Sequence, residues 1–211
     1  MDASQQQLVR GTITLKGSAA IVSDFFFHAV NSILYQRGIY PSDSFTQVKK
    51  YGLPILVCEN DGVKKYLNQV LEQVSDWLST GNLKQLVMVI ASLSSSDPIE
   101  RWVFNIETDK AVVESGVTRE KPEKEIMGEI QAIIRQITAS ITFLPLLEER
   151  CSFDLLAYTT ADAKVPEAWD ASDERLLKNA QSVRLRSFST KVHQVDTMVA
   201  YRHCDDDEDE D

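Results

Sequence analysis

Between Gly17 and Gly38 the chain reads GSAAIVSDFFFHAVNSILYQRG. Apolar pairs recur at Ile21-Val22, Phe25-Phe26, Ala29-Val30 and Ile33-Leu34, four residues apart, which is one broad face of an α-helix. Phe27 stands off that stripe, so the helix is apolar nearly all round. A helix of this kind has to be covered on most of its circumference, and everything else in the chain must supply that cover. Ser18 can cap its start, and Gly38 ends it ahead of Pro41.

The covering elements are legible in turn. A second helix is expected over Asp61–Ser79, with Val63, Tyr66, Leu67, Val70, Leu71, Val74, Trp77 and Leu78 on one side and Gly81 as the stop. KQLVMVIAS reads as a buried strand, SSSDP as a loop, and IERWVFNIET as the hairpin mate. The stretch Asp109–Glu120 reads as a polar loop. Pro122 and Glu123 open a third helix, with Ile126, Ile130, Ile133, Ile134, Ile137 and Ile141 facing inward and Pro145 as its end. CSFDLLAYT is a further strand, and a long polar segment with the island Pro166–Trp169 follows it. Helices and strands do not alternate as βαβ units, so the class is α+β, with three long helices on a mainly antiparallel sheet.

Charge and cysteines bound the function. The formal net charge is −10, and Asp205–Asp211 are seven adjacent acids, so the remainder is near −3. A body so close to balance argues against non-specific attraction to nucleic acid or anionic membrane. The acid run reads as a solvated tail. Cys58, Cys151 and Cys204 are scattered and form no CxxC, which fits a reducing compartment and no disulfide framework or zinc site. No apolar run of 18 residues and no signal-peptide pattern occurs, so an intracellular, soluble protein is expected.

Catalytic spacing is missing. HExxH, GxSxG, GxGxxG and P-loop patterns do not occur. His28 reads as a core or boundary histidine, His193 lies in a closing strand, and His203 borders the tail. Glu100 and Glu107 are scattered strand carboxylates, for which exposure or ion pairing is the default. No catalytic residue, metal ligand or cofactor is expected, which leaves a binding or structural role.

The end of the chain, SVRLRSFSTKVHQVDTMVAYRH, reads as two strands. Their join, Ser189-Thr190-Lys191, holds no Asn-Gly or Asp-Gly, so the turn reads as poorly specified. Two readings stay open on these residues: a permanent pair of sheet strands, or a detachable pair whose removal exposes an edge for a partner's strand.

Five ordered blocks carry a resemblance: LKGSAAIVSDFFFHAVNSILYQRGIYP, VKKYGLPIL, IERWVFNIETDK, IRQITASITFLPLLEERCSFDLLAYT and VRLRSFSTKVHQVDTMVAY. Over residues 11–201 the chain resembles the HORMA-domain family, in its spindle-checkpoint, mitotic-arrest-deficient branch. Residues 109–120 and the acidic tail depart from the pattern. The resemblance implies a HORMA domain over 11–201, flanked by a flexible N-terminus at 1–10 and a disordered tail at 202–211. Its C-terminal strands (a seat belt, about 160–201) cover one sheet edge in an open state. In a closed state they move to the opposite edge and wrap a bound peptide.

By that resemblance the peptide pairs with Cys151, Ser152, Phe153, Asp154, Leu155, Leu156, Ala157 and Tyr158, beside Trp77. Arg135, Gln136, Thr142 and Phe143 match the self-association face, on which open and closed copies form a homodimer. The same face meets a HORMA-like antagonist that works with a hexameric ATPase. Leu15, Val195, Met198, Val199 and Tyr201 are the implied switch residues. Implied partners are the activator of the anaphase-promoting ubiquitin ligase, the coiled-coil kinetochore receptor of the checkpoint, and the kinase-related subunit of the mitotic checkpoint complex. Nucleic acid and membrane are not among them. Implied locations are the nucleus, the kinetochore and spindle in mitosis, and the cytoplasm. The alternative is a HORMA adaptor of another pathway, a translesion-polymerase subunit or a meiotic chromosome-axis protein.

Overall fold

The computed structural model describes residues 11–202. Five strands form one antiparallel sheet: β4 (Leu83–Ser92), β5 (Pro98–Thr108), β7 (Cys151–Thr159), β8 (Ala180–Ser189) and β9 (His193–Arg202), in the order β7-β4-β5-β9-β8. Helices α1 (Leu15–Gln36), α2 (Asp61–Ser79) and α4 (Glu123–Ala139) form the second layer, with α1 packed against both of the others. The arrangement is the α+β class expected from the pattern.

The apolar circumference of α1 is used as its sequence demands. By length and composition it could cross a membrane, yet most of its apolar residues are buried inside the protein. Phe25 and Phe26 reach Phe104 of β5 at ring-centroid distances of 5.8 and 5.4 Å, and Phe25 meets Phe188 of β8 at 4.8 Å. Edge-on and tilted ring packing of this kind adds to the area burial. The C-terminal strands are therefore part of the lid over the central helix.

The structure corrects several local readings. Thr14, not Ser18, caps α1, accepting the Gly17 N–H on its hydroxyl at 3.0 Å. Leu15 is consequently the first residue of the helix rather than one preceding it, and it is half-buried. The polar stretch after β5 holds a helical turn, α3 (Lys110–Ser115), and a short strand, β6 (Arg119–Glu120), that pairs with β1 (Thr12–Ile13). Asp109 stabilises it twice, capping Ala111 N–H and binding Arg119. Helix α4 ends at Ala139, well before Pro145, and tightens into a 3₁₀ turn over Ser140–Thr142. The tighter winding turns Ile141 off the buried stripe, and it is 53% exposed.

One hairpin was not foreseen from residue patterns. Strands β2 (Phe45–Lys50) and β3 (Leu53–Cys58) pair through Tyr51 and Gly52, at φ 50° and 70°. Two left-handed residues in a two-residue loop make the turn that suits strand twist, but Tyr-Gly is not one of its usual signals. The expected flexible N-terminus and the acidic tail lie outside the described residues, apart from Arg202, which ends β9.

Candidate functional site

Strand β7 is an edge. Its pairing runs along β4, from Ser92↔Cys151 to Leu83↔Thr159, and among the described residues the sheet stops there. The period-2 alternation places Phe153, Leu155 and Ala157 against the main core under α1 and α2. On the other face Leu156 and Tyr158 join a small cluster with Val87, Val89, Val103 and Met198. The Leu155 N–H donates to the Tyr66 hydroxyl of α2 at 3.0 Å, so it points away from β4. In an antiparallel ladder the backbone of every second residue points the same way, so Phe153 and Ala157 also turn their N–H and C=O groups to the free side.

The segment between β7 and β8 passes in front of that free side. Its island Pro166–Trp169 is tied to α2: Trp77 Nε1 donates to Lys164 O at 3.0 Å, and Trp169 stacks edge-on to Trp77 at 4.8 Å. Further along, Arg175 donates to Asp154 of β7 at 2.8 Å and to Ser96 O at 3.1 Å. The segment thus leaves the end of β7, is pinned at Trp77, and crosses back to the strand's middle. Between the two ties lies a cavity of about 490 Å³, lined by Trp77, residues 155–159, Val165 and Trp169–Asp173. The structure brings Trp77 and the β7 residues together around one opening.

The C-terminal hairpin sits on the other edge of the sheet. Strand β9 pairs with β5 from Glu100↔Tyr201 to Thr108↔His193, and β8 pairs with β9 alone. Val195 and Val199 are fully buried there, while Met198 and Tyr201 are half-buried. This is the placement the resemblance describes as closed.

The hairpin's turn corrects the expectation of a loose join. Thr190 is 0% exposed, and its hydroxyl accepts the N–H groups of Val192 at 3.2 Å and His193 at 2.9 Å, a hydroxyl-built turn. Ser18 of α1 lies 2.5 Å from the Thr190 hydroxyl and 2.6 Å from His193 Nδ1. His193 Nε2 lies 3.2 Å from Leu78 O, which can only accept. A neutral ring with its proton on Nε2 satisfies this chain: Ser18 donates to Nδ1 and accepts from Thr190. Beside it, Lys121 donates to Ser189 O at 2.8 Å, while Glu129 accepts from Ser189 N–H at 2.9 Å. Side chains from α1, α4 and the β6–α4 junction, with a carbonyl of α2, therefore grip the turn. Beyond the Thr190 hydroxyl its specification comes from residues remote in sequence, which is why no Asn-Gly or Asp-Gly signal is needed.

Burial lowers the His193 pKa to about 4, with the Leu78 contact opposing weakly. The unfolded or undocked histidine takes up its proton near pH 6.5, so stability is full above that value and is lost as pH falls toward 4. Between pH 7 and 5 the docked hairpin is expected to lose about 2 kcal/mol through this group. Denaturant unfolding of the protein and of His193→Gln at both pH values checks it, since the variant should show a smaller pH dependence.

The helix-face residues separate. Arg135 is exposed on α4, Thr142 is exposed in the 3₁₀ turn, and Phe143 is 39% exposed with its ring 6.5 Å from Tyr201. Gln136 instead turns to β8, where its Oε1 accepts the Arg186 N–H at 2.6 Å in the bulged part of the strand. The face is thus continuous with the docked hairpin. Sequence reasoning missed Tyr66, Trp169, Ser18, Lys121 and Glu129. Only Tyr66 and Trp169 carried a signal, as aromatics in the helix stripe and the polar segment.

The model of the HORMA domain matches residues 18–193. A mitotic spindle checkpoint protein MAD2 of Arabidopsis thaliana is 52% identical over 208 residues, covering 99% of this chain and all of the relative. The human mitotic spindle assembly checkpoint protein MAD2A is 54% identical over 190 residues, covering 90% of this chain and 93% of the relative. By contrast, the DNA polymerase zeta processivity subunit of Schizosaccharomyces pombe is 23% identical over 162 residues, 74% of this chain and 76% of the relative. Among solved structures, a chain in the crystal structure of the mitotic checkpoint complex superposes with a TM-score of 0.81 at 45% identity, covering 89% of this chain and 99% of that one.

Proposed function

The chain belongs to the HORMA-domain family, and from that premise we propose that it is a spindle-checkpoint protein that captures an extended segment of a partner as an added strand along β7. One observation carries this reading: β7 is a sheet edge with a belt pinned across it, while the hairpin that could occupy that edge is docked on the opposite one. Main-chain bonding to Phe153, Leu155 and Ala157 suits partners of varied sequence, and the cavity at Trp77 takes their apolar side chains. The partner in this reading is the activator of the anaphase-promoting ubiquitin ligase, whose sequestration delays anaphase. The coiled-coil kinetochore receptor presents a segment of the same kind, and the kinase-related subunit joins the assembled inhibitor. The protein acts as a binding module rather than a catalyst, at the kinetochore and spindle and in the nucleus and cytoplasm.

In this reading the hairpin docked on β5 is the closed arrangement, and its release toward β7 gives the open one. Leu15, at the start of α1, and the β9 side chains Val195, Met198, Val199 and Tyr201 change surroundings in that exchange. A pull-down with a peptide of the ligase activator and one of a translesion-polymerase subunit tests the assignment. Capture of the first alone is expected, and capture of the second alone contradicts it.

Arg135, Gln136, Thr142 and Phe143 form the self-association face in this reading, shared with a HORMA-like antagonist that works with a hexameric ATPase. Its continuity with β8 makes it sensitive to where the hairpin sits, as pairing of open with closed copies requires. Arg135→Ala should abolish the dimer while changing stability by no more than about 0.5 kcal/mol. Sedimentation and thermal melting of the variant measure both, and dimers at the wild-type concentration contradict it.

A further inference from the structure

Tyr66 and Trp77 lie eleven residues apart on α2, three helical turns, so they stand on one side of the helix about 16 Å apart. That is the length of about five strand residues, and the two side chains meet β7 at different points. Trp77 lines the belt cavity. Tyr66 reaches the strand's middle, where its hydroxyl accepts the Leu155 N–H at 3.0 Å. Its ring is held edge-on against Phe153 at 5.6 Å, and Phe153 in turn meets Tyr40 at 6.3 Å. The hydroxyl is therefore delivered by a packed aromatic row, not by a free side chain.

We propose that Tyr66 is a positioning residue of the ligand edge: its hydroxyl takes the central N–H of β7 in the place of a partner's carbonyl, and an incoming strand binds by displacing it. The proposal rests on the reading of β7 as the ligand edge. Two consequences follow from the chemistry. The edge offers no unbroken row of donors, which blunts its pairing with unrelated strands. A ligand strand of the right register must exchange one hydrogen bond for another at Leu155, while at Phe153 and Ala157 it gains bonds without such a rival. The hydroxyl thus acts against ligands that pair only weakly.

Tyr66→Phe removes the hydroxyl and keeps the ring contacts. In the ligand-free protein with its hairpin docked on β5, the Leu155 amide should exchange with solvent more slowly than those of Phe153 and Ala157. In the variant its exchange should rise at least to theirs. A peptide of the ligase activator should bind the variant roughly 2–10-fold more tightly, the worth of one neutral hydrogen bond. Unchanged or weaker binding, or a Leu155 amide no slower than its two neighbours in the wild-type protein, overturns the proposal. If the peptide fails to bind the wild type, the reading of β7 as the ligand edge falls, and amide exchange still decides whether Tyr66 caps Leu155.

Discussion

A chain ending at Gln194 is expected to lose the docked hairpin altogether and to hold no peptide. Among the described residues β9 is the sheet link between β5 and β8, so removing residues 195–202 takes β8 out of the sheet and leaves it only its contacts with α1 and α4. Val195 and Val199 are fully buried, and each contributes roughly 1.5–3 kcal/mol. Their loss alone removes about 3–6 kcal/mol from the closed arrangement, before the ladder bonds with β5 are considered. An open arrangement loses less if it relies on the residues of β8 for its cover. A difference of this size moves a two-state equilibrium from one form to almost wholly the other. Amide spectra of the shortened chain and its peptide off-rate check the prediction. A slow off-rate comparable to the full chain contradicts it.

The second large effect concerns the strand on which β9 docks. Glu100 of β5 is 1% exposed and binds Arg37, the C-cap residue of α1, whose own guanidinium donates to Pro145 O at 2.5 Å. Trp102 Nε1 also donates to Glu100, at 3.2 Å. Burial raises the Glu100 pKa, and the guanidinium opposes that shift. Arg37→Ala should destabilise the fold by about 3–5 kcal/mol, because it leaves a buried carboxyl without its partner. Replacing both residues, Arg37→Met with Glu100→Leu, should restore much of the loss, since an apolar pair needs no desolvated charge. Denaturant midpoints of the three proteins measure this. A double variant as unstable as the single one would show that the pair contributes by its bonding rather than by mutual neutralisation.

What the sequence reveals and conceals follows from the range of each interaction. Helix α2 was legible to its end residues because its stripe and the stop at Gly81 are local. The strands β4, β5 and β7 were legible from alternation and apolar runs. The β2–β3 hairpin was concealed because its turn depends on Tyr51 adopting a left-handed conformation that pattern alone does not predict. The C-terminal turn was concealed more deeply. Its ordering side chains, Ser18, Lys121 and Glu129, sit at least 60 residues away along the chain, so no local pattern can show them. The edge strand carried its alternation openly, but the side of β7 that bonds outward became visible only through the Tyr66 contact. Ile141 continued the stripe of α4 on paper and left it in space when the helix tightened.

The most direct test of the account is amide exchange at β7 with and without a peptide of the ligase activator. The account predicts that in the closed arrangement Phe153 and Ala157, whose N–H groups face away from β4, become strongly protected when the peptide binds, and that the β5–β9 pairing, which the open arrangement releases, is protected as long as the peptide is held. Tight peptide binding with the Phe153 and Ala157 amides still exchanging freely would contradict it, and would place the ligand somewhere other than the edge of the sheet.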